Sequence, residues 1–160
     1  MPIEIEKKFL VKSNEYKNLS LPLYCKQGYF NNHNKLITRI RIMGKKGYLT
    51  LKSNNKGIER LEYEYEIPII DAEELLSNYC SDSIIEKNRY IVPYKDKIWE
   101  VDEFLGDNVG LTVAEIELLS QNEVFLKPRW IGKEVSHNLK YSNYQLTNHP
   151  YKKWQKINNQ

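Results

Sequence analysis

The side chains best suited to chemistry in this sequence are acidic and basic residues placed two positions apart. Glu4 and Glu6 form such a pair near the start of the chain, and Glu115 with Glu117 form another. Paired carboxylates provide the oxygen ligands that Mg²⁺ and Mn²⁺ prefer. Arginine and lysine pairs, which also occur at this spacing, suit phosphate oxygens. These residue types therefore predict chemistry at a phosphate group with the help of divalent cations.

The complete set of such charges is nearly balanced. Its acidic members are Glu4, Glu6, Glu62, Glu64, Glu100, Asp102, Glu115 and Glu117, and its basic members are Lys8, Arg39, Arg41, Lys52, Arg60, Lys87 and Arg89. If all of them face one interior, the acids are in excess by a single charge. Two bound divalent cations would change the net charge of this set from about −1 to about +3, close to what is needed to hold a triphosphate of about −4 to −5.

The elements that must position these charges are strands, because side chains two residues apart share one face of a strand. Alternation of apolar with charged residues predicts strands at residues 3–10, 36–42, 48–52, 60–67, 86–90, 98–104 and 111–118, with a further strand near 28–30. An open antiparallel sheet with one solvated face would also alternate in this way. The like-charged pairs on each strand favour a mainly β (α+β) fold instead, an eight-stranded antiparallel closed barrel with a charged interior.

A few helices are expected to cover the apolar outside of the barrel. A short helix is predicted from Ser13, a second over residues 71–76 with Asp71 as its N-cap, and two more within residues 128–146. We interpret residues 1–150 as one domain. Residues 151–160 are polar around Trp154 and are expected to form a frayed tail or a short docked helix, which could cap one end of the tunnel.

Composition excludes several classes of protein. Hydrophobic residues make up 41% of the 160 positions, enough for a core, and 24 Lys plus Arg against 21 Asp plus Glu leave a net charge of only +3. Neither a nucleic-acid partner nor a membrane partner is expected, because there is no one-sided basic excess and no apolar span. The first residues lack the pattern of a signal peptide, and Cys25 and Cys80 form no metal or disulfide motif. We expect a cytoplasmic protein.

Several short motifs, in this order, resemble the CYTH superfamily of triphosphate tunnel metalloenzymes. They are Glu4-Ile5-Glu6-Lys7-Lys8, Gln27-Gly28-Tyr29, Arg39-Ile40-Arg41, Thr50-Leu51-Lys52, Arg60-Leu61-Glu62-Tyr63-Glu64, Lys87-Asn88-Arg89-Tyr90, Trp99-Glu100-Val101-Asp102, Ala114-Glu115-Ile116-Glu117 and Pro128-Arg129-Trp130-Ile131-Gly132-Lys133-Glu134-Val135. The resemblance, which is to the short bacterial members, covers residues 1–147. It implies an eight-stranded barrel around a charged tunnel and activity on triphosphates with Mg²⁺ or Mn²⁺.

The resemblance also implies roles for individual residues. The metal ligands would be Glu4, Glu6, Glu115 and Glu117, for two ions. The phosphate would be bound by Lys8, Arg39, Arg41, Lys52, Arg60, Lys87 and Arg89. Glu62, Glu64 and Asp102 would orient the basic residues or assist the metals. A catalytic dyad described for some members would correspond to Lys52 and Tyr29, and for Tyr29 simple packing in the wall is an equal alternative.

The favoured reaction is metal-dependent hydrolysis of inorganic tripolyphosphate to pyrophosphate and phosphate. The alternatives left open are an adenylate cyclase of the class IV type, a thiamine triphosphatase, and a binder of polyphosphate that is not an enzyme. His33, His137 and His149 lack the mutual spacing of metal ligands and are expected at the surface. The partner is expected to be a small-molecule triphosphate, and the sequence leaves a homodimer open.

Overall fold

The computed structural model describes residues 2–30, 36–53 and 57–158, and the side chains of residues 155–158 are not described. His33 therefore lies outside the described residues. Nine strands and three α-helices follow one another along this part of the chain. In chain order they are β1 (Ile3–Val11), β2 (Leu23–Tyr29), β3 (Leu36–Met43), β4 (Lys46–Ser53), β5 (Glu59–Ile67), α1 (Ile69–Tyr79), β6 (Ile84–Tyr94), β7 (Lys97–Phe104), β8 (Thr112–Glu117), β9 (Ile131–Glu134), α2 (Asn143–Asn148) and α3 (Tyr151–Asn158).

Eight of the strands close into an antiparallel barrel. The hydrogen-bonded order runs β5-β4-β3-β2-β6-β7-β8-β1, and β1 returns to β5 through the pairs Ile3 with Leu61 and Ile5 with Glu59. The predicted fold class is confirmed. Strands β2 and β6 are longer than the alternation predicted, because residues 23–27 and 90–94 do not alternate between charged and apolar side chains.

The ninth strand corrects the prediction for residues 128–146, where two short helices were expected. Residues 131–134 form β9, which pairs with the second half of β1, and the helical part is limited to a 3₁₀ turn at Leu139–Tyr141 and to α2. Strand β5 covers only the first half of β1, so the remaining edge of β1 is open to another strand. Gly132 allows the approach, because a Cβ there would lie 3.1 Å from the carbonyl oxygen of Leu10.

The hydrophobic core lies largely between the barrel wall and the segments wrapped around it. On one side α1 packs Ala72 and Leu76 against Ile40 of β3. On the other side Trp130 and Tyr16 join Trp99 in a cluster on the outer face. Because apolar side chains occupy the outside, the alternate side chains of each strand are left to face the tunnel.

Two helix starts differ from their predictions. Helix α1 begins at Ile69 with Pro68 as its N-cap, so Asp71 lies in its first turn and is not the cap. Proline fixes φ near the value that the position before a helix accepts, which explains the earlier start. The first predicted helix is one 3₁₀ turn, Glu15–Asn18, with no capping hydrogen bond from the side chain of Asn14.

Helices α2 and α3 cover the barrel end at which β2 finishes and β6 begins. Trp154 of α3 is 5% exposed and packs with Leu111 and Leu146, in a cluster that also includes Tyr29 and Ile85. The last residues of the chain are therefore a docked helix as far as Asn158.

Cys25 and Cys80 are buried free thiols. Within the described ranges, no helix has the length and apolar character needed to cross a membrane.

Candidate active site

A cavity of about 760 Å³ follows the inside of the barrel. All seven predicted phosphate-binding residues line it, namely Lys8, Arg39, Arg41, Lys52, Arg60, Lys87 and Arg89. Seven carboxylates line it as well, namely Glu4, Glu6, Glu62, Glu64, Glu100, Glu115 and Glu117. The barrel thus brings together charges contributed by seven strands. Their numbers are equal, and the cavity is lined by both signs of charge.

Asp102 is the one member of the predicted charged lining that does not reach the cavity surface. Its carboxylate is buried beneath the side chains that line the cavity, where Oδ2 accepts from Nζ of Lys87 at 2.8 Å and Oδ1 accepts from Nε of Arg89 at 2.8 Å. The guanidinium of Arg89 donates a further bond to Oδ2 at 3.0 Å. These two cations hold the pKa of Asp102 well below its usual range despite burial. We call Lys87, Arg89 and Asp102 the β6–β7 ion cluster.

A second set of basic residues is organised by Glu64 on β5. One of its oxygens accepts from Arg39 and from Arg41, at 3.3 Å each, and from the hydroxyl of Thr50 at 2.8 Å. The Nε atoms of both arginines are buried and have no hydrogen-bond partner. Donors left unsatisfied beside a cavity are suited to a ligand with many acceptor oxygens, such as a phosphate chain.

Carboxylates crowd the opposite side of the cavity. We call Glu4, Glu6, Glu62 and Glu115 the acidic cluster. Glu62 and Glu6 are neighbours of Glu4, and Glu115 is a neighbour of Glu6. Burial, followed by the neighbouring Glu62 and the charge of Glu6, raises the pKa of Glu4 to about 10. Burial and the charge of Glu6 also raise the pKa of Glu115. This side of the cavity therefore holds protons that a cation could replace.

Glu117 stands at the edge of the acidic cluster. It is exposed and opposite Glu6 in the β1–β8 register, and its pKa is raised by partial burial and by Glu6. Among the residues that the structure describes, no three acidic, histidine or cysteine side chains are already gathered as a metal site. The donor set nevertheless fits a hard cation, since it consists of carboxylate oxygens and Oε2 of Glu4 is buried without a hydrogen-bond partner.

Tyr29 and Lys52 line the same cavity but have different neighbours. The ammonium of Lys52 lies 3.7 Å from Glu4 and 3.8 Å from Glu62. The hydroxyl of Tyr29 accepts from Nε2 of Gln27 at 2.8 Å, and burial raises its pKa although Arg39 is close. Tyr29 and Lys52 thus share no hydrogen bond here, and the cations that act on Tyr29 are Arg39 and Arg41.

Comparison with known proteins adds to this geometry. The family model of the CYTH domain matches residues 2–151. The chain belongs to the CYTH family.

Curated CYTH relatives extend over nearly the whole chain. An inorganic triphosphatase of Acetivibrio thermocellus is 49% identical over 149 residues, which cover 93% of this chain and 96% of that protein. An inorganic triphosphatase of Nitrosomonas europaea is 35% identical over 148 residues, covering 89% of this chain and 95% of that protein. Among solved structures, a crystal structure of an inorganic triphosphatase matches with a TM-score of 0.64 and 31% identity, covering 90% of this chain and 93% of that one.

Some residues of the CYTH tunnel were not found by sequence reasoning. The first turn of α2 lines the cavity with Ser142, Asn143, Tyr144 and Gln145. Oδ1 of Asn143 accepts from Nζ of Lys87 at 2.9 Å, and the ring of Tyr144 meets that of Tyr29 edge-on at 5.3 Å. Nothing in the local sequence signals these roles, because they depend on the position of β9, which directs the following residues to the end of the barrel.

Proposed function

We propose that this protein hydrolyses inorganic tripolyphosphate to pyrophosphate and phosphate, with Mg²⁺ or Mn²⁺ as cofactor. The observation that carries the proposal is a cavity lined on one side by buried guanidinium and ammonium groups and on the other by crowded carboxylates. The names of the relatives that are 49% and 35% identical support the same substrate. Both metal dependence and the residue roles below belong to this proposal.

The basic side of the cavity would bind and orient the phosphate chain. Arg39 and Arg41 offer their unpartnered Nε atoms, and Glu64 fixes both guanidinium planes from behind. Lys87 and Arg89 are held in place by Asp102, so they need little reorganisation when charge develops on phosphate oxygens. Lys8, Lys52 and Arg60 extend this surface toward the carboxylates.

The acidic side would hold the cations, with Glu4, Glu6, Glu115 and Glu117 as ligands. When bound, Mg²⁺ or Mn²⁺ would neutralise phosphate oxygens and make water more acidic for attack on phosphorus. Glu62 lies 3.8 Å from the ammonium of Lys52, which also lies 3.7 Å from Glu4, so it would help to keep Lys52 beside the metal ligands. Together the two sides would position the substrate and neutralise its charge, which is most of what phosphoryl transfer requires.

Phosphate release from tripolyphosphate tests the proposal directly. Purified protein is assayed with Mg²⁺, with Mn²⁺ and with EDTA, and with ATP and thiamine triphosphate in parallel. We expect release from tripolyphosphate that needs a divalent cation. Cyclic AMP from ATP without phosphate release from tripolyphosphate would indicate the cyclase reaction instead. Tight binding of tripolyphosphate without turnover of any substrate would indicate a binding module.

A further inference from the structure

Strand β2 contributes an unusual row of side chains to the inside of the barrel. Cys25, Gln27 and Tyr29 alternate along the strand and share its inner face, and all three are buried. Of the three, Tyr29 lines the cavity, whereas Gln27 is 0% exposed and lies behind it. A fully buried amide must find hydrogen-bond partners, because leaving it unsatisfied destabilises the fold. The partners of Gln27 therefore show what this residue does.

The three side chains form a hydrogen-bonded series. The thiol of Cys25 donates to Oε1 of Gln27 at 3.6 Å, and Nε2 of Gln27 donates to the hydroxyl oxygen of Tyr29 at 2.8 Å. A thiol that donates to the amide oxygen fixes which end of the amide faces the phenol. Gln27 thus presents its NH₂ group to Tyr29, not its carbonyl.

This arrangement decides what the Tyr29 hydroxyl can do. Its oxygen accepts from Gln27, and the guanidinium of Arg39, a group that only donates, approaches it from β3. With the wall supplying donors, the phenolic hydrogen is left for an acceptor inside the cavity. Burial also raises the pKa of Tyr29, so the phenol keeps that hydrogen at neutral pH.

We propose that Gln27 is a positioning residue that holds the Tyr29 hydroxyl as a hydrogen-bond donor to a phosphate oxygen of the substrate. The inference rests on the proposed triphosphatase function. It gives Tyr29 the role of a donor and not that of a base. It also assigns a function to a residue behind the cavity wall, which would act only through Tyr29.

A double-mutant cycle tests this inference. Gln27→Met keeps the volume of the side chain and removes the donor, and Tyr29→Phe removes the hydroxyl. We expect Tyr29→Phe to lower kcat for tripolyphosphate by about 100-fold, the typical loss for one donor that stabilises a transition state. Gln27→Met should lower kcat by about tenfold with KM unchanged. In the Tyr29→Phe background the same change should have no further effect on kcat, because its target is absent.

Ser83→Ala is the matched control. The hydroxyl of Ser83 accepts from the backbone N–H of Tyr29 and donates to its carbonyl, so this variant disturbs Tyr29 without touching the phenolic hydroxyl. Its effect on kcat should be the same in both backgrounds. If Gln27→Met does not fold, Cys25→Ala replaces it, since losing the thiol donor loosens the amide. Its smaller loss of kcat should also vanish in Tyr29→Phe.

The outcomes separate the two proposals. A wild-type protein that releases no phosphate from tripolyphosphate overturns the proposed function, and the role of Gln27 with it. An active wild type in which Gln27→Met leaves kcat unchanged, or lowers it equally with and without the Tyr29 hydroxyl, overturns the role of Gln27 alone.

Discussion

The β6–β7 ion cluster and the acidic cluster lie in one tunnel but differ in how their buried charges are compensated. In the β6–β7 ion cluster, Asp102 is shared between Lys87 and Arg89 at 2.8 Å, and Arg89 also reaches Glu100 at 3.0 Å. In the acidic cluster, four carboxylates lie near one another, and Lys8 and Lys52 lie 3.7–3.9 Å from members of the cluster. The first cluster is complete without a ligand, whereas the second needs positive charge from outside.

The difference shows how one interior can serve both binding and stability. Buried charges that are paired and hydrogen-bonded hold a fixed geometry, and breaking such a pair destabilises the fold. Carboxylates that outnumber the cations beside them weaken the fold until a further cation binds. We therefore expect substitutions in the acidic cluster to affect activity most, and substitutions in the β6–β7 ion cluster to affect stability most.

Glu6→Gln should have the largest effect on activity. Removing one ligand charge should lower metal-dependent release of phosphate by about 100-fold to 1000-fold, since a catalytic cation supplies several kcal/mol of stabilisation. Thermal stability measured in EDTA should fall only modestly, because Lys52 and Lys8 hold the pKa of Glu6 below its usual range and lose one partner charge in the variant. Glu66→Gln, an exposed change on β5 beside Lys46, is the control and should leave both properties unchanged. If the free energy of unfolding in EDTA fell by as much as the activation free energy rose, the contrast between the two clusters would be contradicted.

Asp102→Asn should have the largest effect on stability. It leaves Lys87 and Arg89 without their shared carboxylate, and removing one partner of a buried ion pair typically costs about 3–5 kcal/mol. Urea unfolding at pH 7 measures the loss. Glu100→Gln is the matched control on the same strand, since Arg89 keeps Asp102 and the carboxylate of Glu100 is 39% exposed. Equal losses of unfolding free energy in both variants would show that burial of the ion cluster does not affect its contribution to stability.

The pH dependence of unfolding sharpens the same prediction. The pKa of Asp102 is lowered in the folded protein, so its stabilising effect is present above the ordinary aspartate pKa of about 4 and is lost as the pH falls below it. The wild type should therefore lose stability below about pH 4 more steeply than Asp102→Asn does. Parallel curves for the two proteins would mean that the folded pKa is not lowered.

Metal binding should release protons and tighten with pH. The pKa of Glu4 is raised to about 10 by burial and its acidic neighbours, so at pH 7 to 9 a cation must displace a proton from it. Affinity for Mn²⁺ should rise by up to about tenfold per pH unit for one displaced proton. Calorimetry in two buffers of different ionisation enthalpy counts the protons, with Glu4→Gln as the variant that should release fewer. Affinity that is independent of pH would contradict a protonated acidic cluster.

The stability of the metal-free protein should fall as the pH rises, whereas metal affinity should increase. An unfolded Glu4 loses its proton near pH 4.5, whereas the folded one keeps it up to about pH 10. Stability from this group is thus full below about pH 4.5 and falls as the pH rises toward 10. Saturating Mn²⁺ should remove that decline, which thermal unfolding with and without EDTA measures. A metal-free stability that rises over this range would count against the raised pKa.

The barrel and its charged lining could be predicted because the side-chain period of a strand is a local property. Glu4 with Glu6 and Arg39 with Arg41 alternate with apolar residues, so the shared face followed from spacing alone. The burial of Asp102 below the cavity surface did not follow, since a period of two predicts which face of the strand a side chain takes and not how exposed it is.

Predictions failed where long-range packing decides the structure. Residues 131–134 become β9 only because β5 leaves part of β1 unpaired, which is a property of closure and not of the local sequence. Asn143 reaches Lys87 for the same reason, because β9 directs the chain back over the barrel end. Gln27 could have been found, since it lies on the same face of β2 as Tyr29. The sequence does not show, however, which group a single buried amide will contact.

The smallest expected effect tests whether the β6–β7 ion cluster depends on α2. Lys87 lines the cavity and has three N–H donors, of which Asp102 takes one at 2.8 Å and Asn143 another at 2.9 Å, so one remains for a ligand. Asn143→Ala would let the ammonium turn and should raise KM for tripolyphosphate by about fivefold, the factor that corresponds to about 1 kcal/mol, with kcat nearly unchanged. Thr147→Ala, which alters the same helix where its hydroxyl bonds to the backbone of Tyr144, is the control and should leave KM unchanged. If both variants raise KM alike, α2 acts only as packing; if Asn143→Ala alone does so, the helix completes the phosphate site through Lys87.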